Sequence, residues 1–242
     1  MNRRPTGPST GPARVPCPCV AVILCLLAPL AGCAPLGVSL YYDKADLPEA
    51  RIVKTVRYLD APGSDPDLNR LDLFLPLDAK ARNWPTLVFV HGGSWSEGDK
   101  DLDVAGADVY RNIGRFFASQ GIGAAVISYR LLPEVDWKTQ VQDVSRATAW
   151  VHAHVRRYHG DPDAIFLSGH SAGAQLAARV ALDPALLKAG GWSLRSLCGV
   201  IPISGIGFDF ENEETYQFGK DQGAIRTAFG QDDLSREMRK EL

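Results

Sequence analysis

Gly169-His170-Ser171-Ala172-Gly173 follows the run Ala164-Ile165-Phe166-Leu167-Ser168 and opens a helix-forming run from Gln175 to Leu182. The pattern is Gly-x-Ser-x-Gly between a strand and a helix. A serine on that turn stands exposed at the end of a buried strand, and the turn is too tight for side chains at its flanking positions. Ser171 is therefore a candidate nucleophile. Ala172 opens the following helix, where free N–H donors and the helix dipole favour a developing negative charge. The plainer reading is a glycine-rich turn carrying a solvated serine; the flanking strand and helix weigh against it.

The surrounding pattern is alternating. Strands are expected at Ile52 to Leu59 and Arg70 to Leu75, separated by the turn-forming Ala61-Pro62-Gly63-Ser64-Asp65-Pro66. Thr86-Leu87-Val88-Phe89-Val90 is continuously apolar, as in strands buried on both faces. A helix is expected from Asp108 to Ser119, then a strand from Gly123 to Tyr129. Trp137, Val141, Val144, Thr148, Val151 and Val155 recur at spacings of four and three, the stripe of an amphipathic helix ending at His159-Gly160-Asp161-Pro162. A strand from Leu197 to Ser204 follows the nucleophile helix, although Pro202 has no N–H to donate to a ladder. Strand and helix in alternation predict an α/β fold with a mostly parallel sheet flanked by helices.

His91-Gly92-Gly93-Ser94-Trp95 directly follows the apolar strand ending at Val90. Paired glycines let backbone N–H groups approach a substrate oxygen unobstructed, so Gly92 and Gly93 are candidate oxyanion donors beside Ala172. The alternative is a simple turn after a strand. For Trp95, lining the acyl or alcohol site and packing in the core both remain open.

These two motifs together resemble the α/β-hydrolase superfamily, in particular its esterase and lipase-like branch. His91 to Lys100 is similar to that branch's oxyanion loop, and Tyr129-Arg130-Leu131 with Pro133 is similar to another of its segments. The resemblance covers roughly Arg51 to Gly207. It implies an α/β-hydrolase fold and a serine hydrolase of carboxylic esters acting on a small-molecule substrate. The sequence has no His-Glu-x-x-His, Cys-x-x-Cys or phosphate-loop motif, so no cofactor and no metal are expected. The resemblance also implies an acid and a histidine after the serine, in the order Ser…Asp/Glu…His.

No histidine follows His170. His152, His154 and His159 fall off the apolar stripe of their helix and read as solvated, while His91 belongs to the loop and His170 to the elbow itself. Asp209, just past the last strand, is placed to serve as an acid, although an ordinary loop role is the commoner fate of such a residue. The segment from Glu211 to Leu242 reads as polar and partly helical. The expectation is a hydrolase domain lacking its last strands, with the triad acid and histidine not in this chain and the strand from Leu197 left as a sheet edge. A competing expectation is an inactive fragment, or a binding module on the same scaffold.

The first residues differ from the rest. Arg3, Arg4 and Arg14 precede the short apolar run Val20 to Leu30, the layout of an export signal too short to span a bilayer. Leu30-Ala31-Gly32-Cys33 resembles the lipobox of bacterial lipoproteins, which implies acylation of Cys33. The alternative is an ordinary signal peptide with a chance cysteine. The expected organisation is a signal peptide over 1–32, a tether over 33–50 and the hydrolase domain over 51–242. The product would be exported and held to the cell envelope, on the periplasmic side, through Cys33. Ala34 resembles the outer-membrane choice in Gram-negative hosts. Cys198 is then the sole cysteine of the mature domain outside the anchor, expected as a small buried hydrophobe. With 242 residues, 45% hydrophobic, and a net charge of -2, the composition suits one globular domain. It carries no basic patch for nucleic acid.

Overall fold

Residues 84–90 form a seven-residue strand that is almost wholly buried, because it lies inside a six-stranded sheet with helices on both faces. The structure, a computed structural model, describes residues 43–189, 191–193, 196–205, 209, 211–221, 223, 225–226 and 231–241. Its strands are β1 (Ile52–Arg57), β2 (Arg70–Phe74), β3 (Trp84–Val90), β4 (Asp103–Val104), β5 (Ala107–Asp108), β6 (Gly123–Ile127), β7 (Gly160–His170) and β8 (Leu197–Ile203). Its α-helices are α1 (Val109–Ser119), α2 (Trp137–His154), α3 (Ala172–Leu182), α4 (Pro184–Ala189), α5 (Glu213–Asp221) and α6 (Arg236–Glu241).

The large sheet runs β1-β2-β6-β3-β7-β8. The pairings β6–β3, β3–β7 and β7–β8 are parallel, whereas β1–β2 and β2–β6 are antiparallel. The expected mostly parallel α/β sheet is what the chain forms. β4 and β5 make a separate two-residue hairpin that the apolar pattern did not signal.

Alternation along β3 divides the core into two layers. Val88 and Val90 face one cluster with Val141, Val144 and Val151 of α2 and Leu176 and Val180 of α3. Leu87 and Phe89 face the other, with Phe74, Val126 and Tyr110 and Ala118 of α1. The α2 stripe is thus a core-facing stripe, and its start is capped by Asp136, whose Oδ1 accepts the Thr139 N–H at 2.7 Å. Residues 43–50, expected as tether, are docked on α1 at their described end. Leu47 is buried there, and its carbonyl accepts from the Arg115 guanidinium at 3.1 Å.

β8 is outermost among the described strands, and Ile201 and Ile203 are 47% and 43% exposed. Two sequence readings change on this strand. Cys198 is exposed rather than buried, because no described element covers the outer part of β8. Pro202 is accommodated because the flanking carbonyls of Ile201 and Ile203 both accept bonds from the β7 side, from Ser168 Oγ and the Ser171 N–H. By strand alternation its missing N–H faces the free edge, where no ladder bond is lost. Among the described residues no helix is long and apolar enough to cross a membrane. Cys33 and the rest of the expected signal lie outside the described residues.

Candidate active site

β7 ends at His170 and α3 begins at Ala172, so Ser171 alone makes the turn, at φ 52° and ψ -120°. A non-glycine residue there is strained, and such strain persists only where the surroundings hold it. The Ser171 N–H donates to Ile203 O of β8 at 2.9 Å, and Ser171 O accepts from the Ala174 N–H at 3.0 Å. The flanking glycines are required by close approach. A Cβ on Gly169 would stand 2.2 Å from Gly173 O, and one on Gly173 would stand 2.3 Å from His91 O and 2.4 Å from Val90 O. The second contact is with the end of β3, so the elbow and the loop after β3 are packed backbone to backbone.

That loop is itself strained. Gly93, Ser94 and Trp95 have φ of 124°, 48° and 63° in succession. Gly93 needs to be glycine, since a Cβ would fall 1.9 Å from Glu97 O. Trp95 resolves to the core: its side chain is buried, and its carbonyl accepts from the Leu132 N–H at 2.9 Å and Gln140 Nε2 at 2.7 Å. At the far end Lys100 is buried and pairs with the buried Asp72 at 3.4 Å, while its N–H donates to Ser128 Oγ at 2.9 Å. Arg111 of α1 adds Nε at 3.0 Å from the other Asp72 oxygen. That contact is an ion pair without an aligned N–H, since Arg111 Nε has no hydrogen-bond partner among the described residues.

Two consecutive peptide units at the head of the loop decide which donor is available. The carbonyl of His91 accepts from Tyr129 Oη at 3.1 Å, and the Gly92 N–H donates to Tyr110 Oη at 3.1 Å. The carbonyl of Gly92 accepts from His91 Nδ1 at 2.7 Å. The fourth polar group, the Gly93 N–H, has no hydrogen-bond partner among the described residues. Gly92 as a free donor is therefore corrected: its N–H is already held by a tyrosine. Its own role is steric, since a Cβ there would stand 3.2 Å from Ser171 Cβ and 2.9 Å from His170 Nδ1. Ala172, as the first residue of α3, has no intrahelical acceptor for its N–H.

The histidines are distributed otherwise than a triad needs. His91 is fully buried and stacks on Tyr129 with centroids 4.3 Å apart. A carbonyl can only accept, so Nδ1 carries the proton and Nε2 is a buried lone pair without a partner. Burial therefore pulls the pKa down from 6.5 to about 4, against a smaller opposing pull from the Gly92 carbonyl. The unfolded chain binds this proton below 6.5 and the folded chain does so only near 4, so stability rises with pH across that window. Between about pH 8 and pH 5 the folded state is expected to lose about 2 kcal/mol through this group. Urea unfolding at the two pH values checks it: His91→Gln should flatten the dependence, and an equal slope in both chains refutes the assignment.

His154 is half-buried, bonded to Trp150 O at 2.8 Å and stacked on that indole, rather than simply solvated; His152 is half-buried too and His159 is exposed. His170 meets Tyr110 Oη at 3.3 Å. Among the described residues none of the five bonds to Ser171 Oγ. Asp209 is exposed, and its carboxylate accepts the N–H groups of Glu211 and Asn212 at 3.1 and 3.0 Å, the loop role rather than the catalytic one. No group of three or more His, Cys, Asp or Glu side chains among the described residues is placed to hold a metal. Tyr110 went unnoticed in the sequence because it lies on a helix with no motif around it. Tyr129 was visible only as part of Tyr129-Arg130-Leu131.

Comparison with known proteins gives a consistent picture. The chain is 32% identical over 196 residues to a probable isoprenylcysteine alpha-carbonyl methylesterase of Oryza sativa subsp. japonica, covering 79% of this chain and 42% of that protein. It is 38% identical over 122 residues to esterase LipQ of Mycobacterium tuberculosis, covering 49% of this chain and 28% of that one. Esterase B from Lactobacillus rhamnosis, solved with a tributyrin phosphonate, superposes with a TM-score of 0.59 at 26% identity, over 82% of this chain and 61% of that one. The chain thus spans less than two thirds of each. The fold is that of these esterases, an α/β-hydrolase sheet. The family model that matches residues 71–222 covers both the loop after β3 and the elbow, and the chain belongs to the BD-FAE family.

Proposed function

We propose that this chain carries the nucleophile and oxyanion hole of a serine hydrolase of carboxylic esters. The observation that carries the reading is the unpaired Gly93 N–H, left over after its three neighbouring polar groups are bound, on a loop packed against Ser171. Ser171 Oγ attacks the acyl carbon of a small-molecule ester. The carbonyl π pair moves onto oxygen, and the N–H groups of Gly93 and Ala172 receive that charge. Such preformed donors act most strongly where charge develops, each at about 2.7–4 kcal/mol in related sites. The proton of Ser171 goes to a general base, and collapse of the tetrahedral intermediate expels the alkoxide to leave an acyl-serine that water hydrolyses.

None of the five histidines of this sequence supplies the base, since none bonds to Ser171 among the described residues. This observation favours a second reading, a non-catalytic module on the same scaffold. The esterase names of the relatives and the intact elbow and loop favour the first. Leu30-Ala31-Gly32-Cys33 supports an exported domain lipid-anchored to the cell envelope at Cys33.

The test uses a nitrophenyl phosphonate, with imidazole added as an external base. A phosphonyl adduct on Ser171, located by peptide mass mapping, supports the hydrolase reading. A folded chain without adduct, or with adduct confined to other residues, leaves the binding module.

A further inference from the structure

Tyr110 lies on the first turn of α1, between the two motifs, and belongs to neither. Its hydroxyl accepts the Gly92 N–H at 3.1 Å and lies 3.3 Å from His170 Nδ1. An N–H can only donate, so the Tyr110 proton is free to point at His170. Burial raises the phenol's pKa above its ordinary value, which keeps that proton in place. Its ring stands 5.8 Å from Phe89, 6.0 Å from His91 and 6.2 Å from His170, all tilted contacts. One buried side chain therefore touches the end of β3, the loop after it and the residue before the nucleophile.

The consequence lies in the peptide it holds. Tyr129 Oη fixes the carbonyl end of the His91–Gly92 peptide, and Tyr110 Oη fixes its N–H end. With both ends held the plane of that peptide is set, and the next peptide, which carries the Gly93 N–H, hangs from it. Two glycines in a row would otherwise leave this donor free to swing.

We propose that Tyr110 is a positioning residue, which ties the oxyanion loop to the nucleophile elbow by bridging the Gly92 N–H and His170 Nδ1. The inference rests on the hydrolase reading above. It makes a chemical statement independent of turnover: a donor at Nδ1 holds neutral His170 in the tautomer protonated at Nε2.

Tyr110→Phe keeps the ring and removes the bridge. The full chain and this variant are compared in three measurements. The first is thermal unfolding, the second the nitrogen-15 chemical shifts of His170, and the third the rate of Ser171 phosphonylation with imidazole. The expected result is a near-unchanged melting temperature and a His170 that loses its tautomer preference. Labelling should also slow, by up to the roughly 100-fold that a misplacement of about 1 Å can cost. Equal labelling rates in the two chains overturn this inference and leave the hydrolase reading standing. Slower labelling with unchanged His170 shifts also overturns it, because that marks a merely structural tyrosine. No adduct in the unaltered chain overturns the hydrolase reading and the role of Tyr110 with it.

Discussion

With imidazole present, Ser171→Ala is expected to slow hydrolysis of a short nitrophenyl ester about 100-fold, the lower end of what general-base catalysis contributes. Without imidazole the same substitution is expected to change the rate less than about 10-fold, because a nucleophile and its base act as a unit and deleting either forfeits the contribution of both. The contrast is the result that matters. Ser171 has its N–H and carbonyl occupied by Ile203 and Ala174, yet its Oγ meets no histidine among the described residues. An external base supplies proton transfer but not orientation, which is why the gain stays modest. The backbone donors of Gly93 and Ala172 survive in the alanine variant, so its residual rate reports what they contribute alone. A 100-fold loss already present without imidazole would reveal a base within the chain. No loss under either condition would remove Ser171 from the chemistry.

The second large effect is on stability. Gly173→Ala is expected to cost about 5 kcal/mol or more, at the far end of single substitutions. The new Cβ would stand 2.3 Å from His91 O, 2.4 Å from Val90 O and 2.8 Å from Val90 C. All three are backbone atoms, so no side-chain rotation relieves the contact. Moving them means breaking the parallel pairing in which Val90 faces Gly169. Gly63 is the control: it has φ 80°, but a Cβ there meets nothing within 4 Å. Gly63→Ala should therefore cost only the left-handed penalty, about 1–2 kcal/mol. Urea unfolding of the two variants separates packing from backbone strain. Equal losses would show that the contact between elbow and loop is looser than the structure has it.

The α/β layout was legible because buried parallel strands are continuously apolar, as in Thr86 to Val90, and because α2 carries an apolar stripe from Trp137 to Val151 that Val155 continues just past its end. The elbow was legible because its glycines are a steric necessity of a backbone approach. What the sequence concealed was decided by contacts between distant segments. Gly92 loses its donor to a tyrosine 18 residues on, which no local pattern encodes. Cys198 sits in an apolar run, but exposure depends on what lies beyond β8, not on its neighbours in the chain. Residues 43–50 read as polar linker, since two bonds between Asn112 and the backbone of Asp43 and Ala45 leave no periodicity to find.

The bond from the Ser171 N–H to Ile203 O joins a strained turn to the outermost described strand. Edge strands with exposed side chains open more often than central ones, and local opening has its own free energy, smaller than that of global unfolding. Each opening of β8 releases Ser171 from the acceptor that holds it at positive φ. The positive φ of Ser171 is therefore tied to the outermost described strand as well as to the core. Amide hydrogen exchange should find Ser171 exchanging with β8, faster than Val88 or Val126, and anything that seats on that edge should slow it.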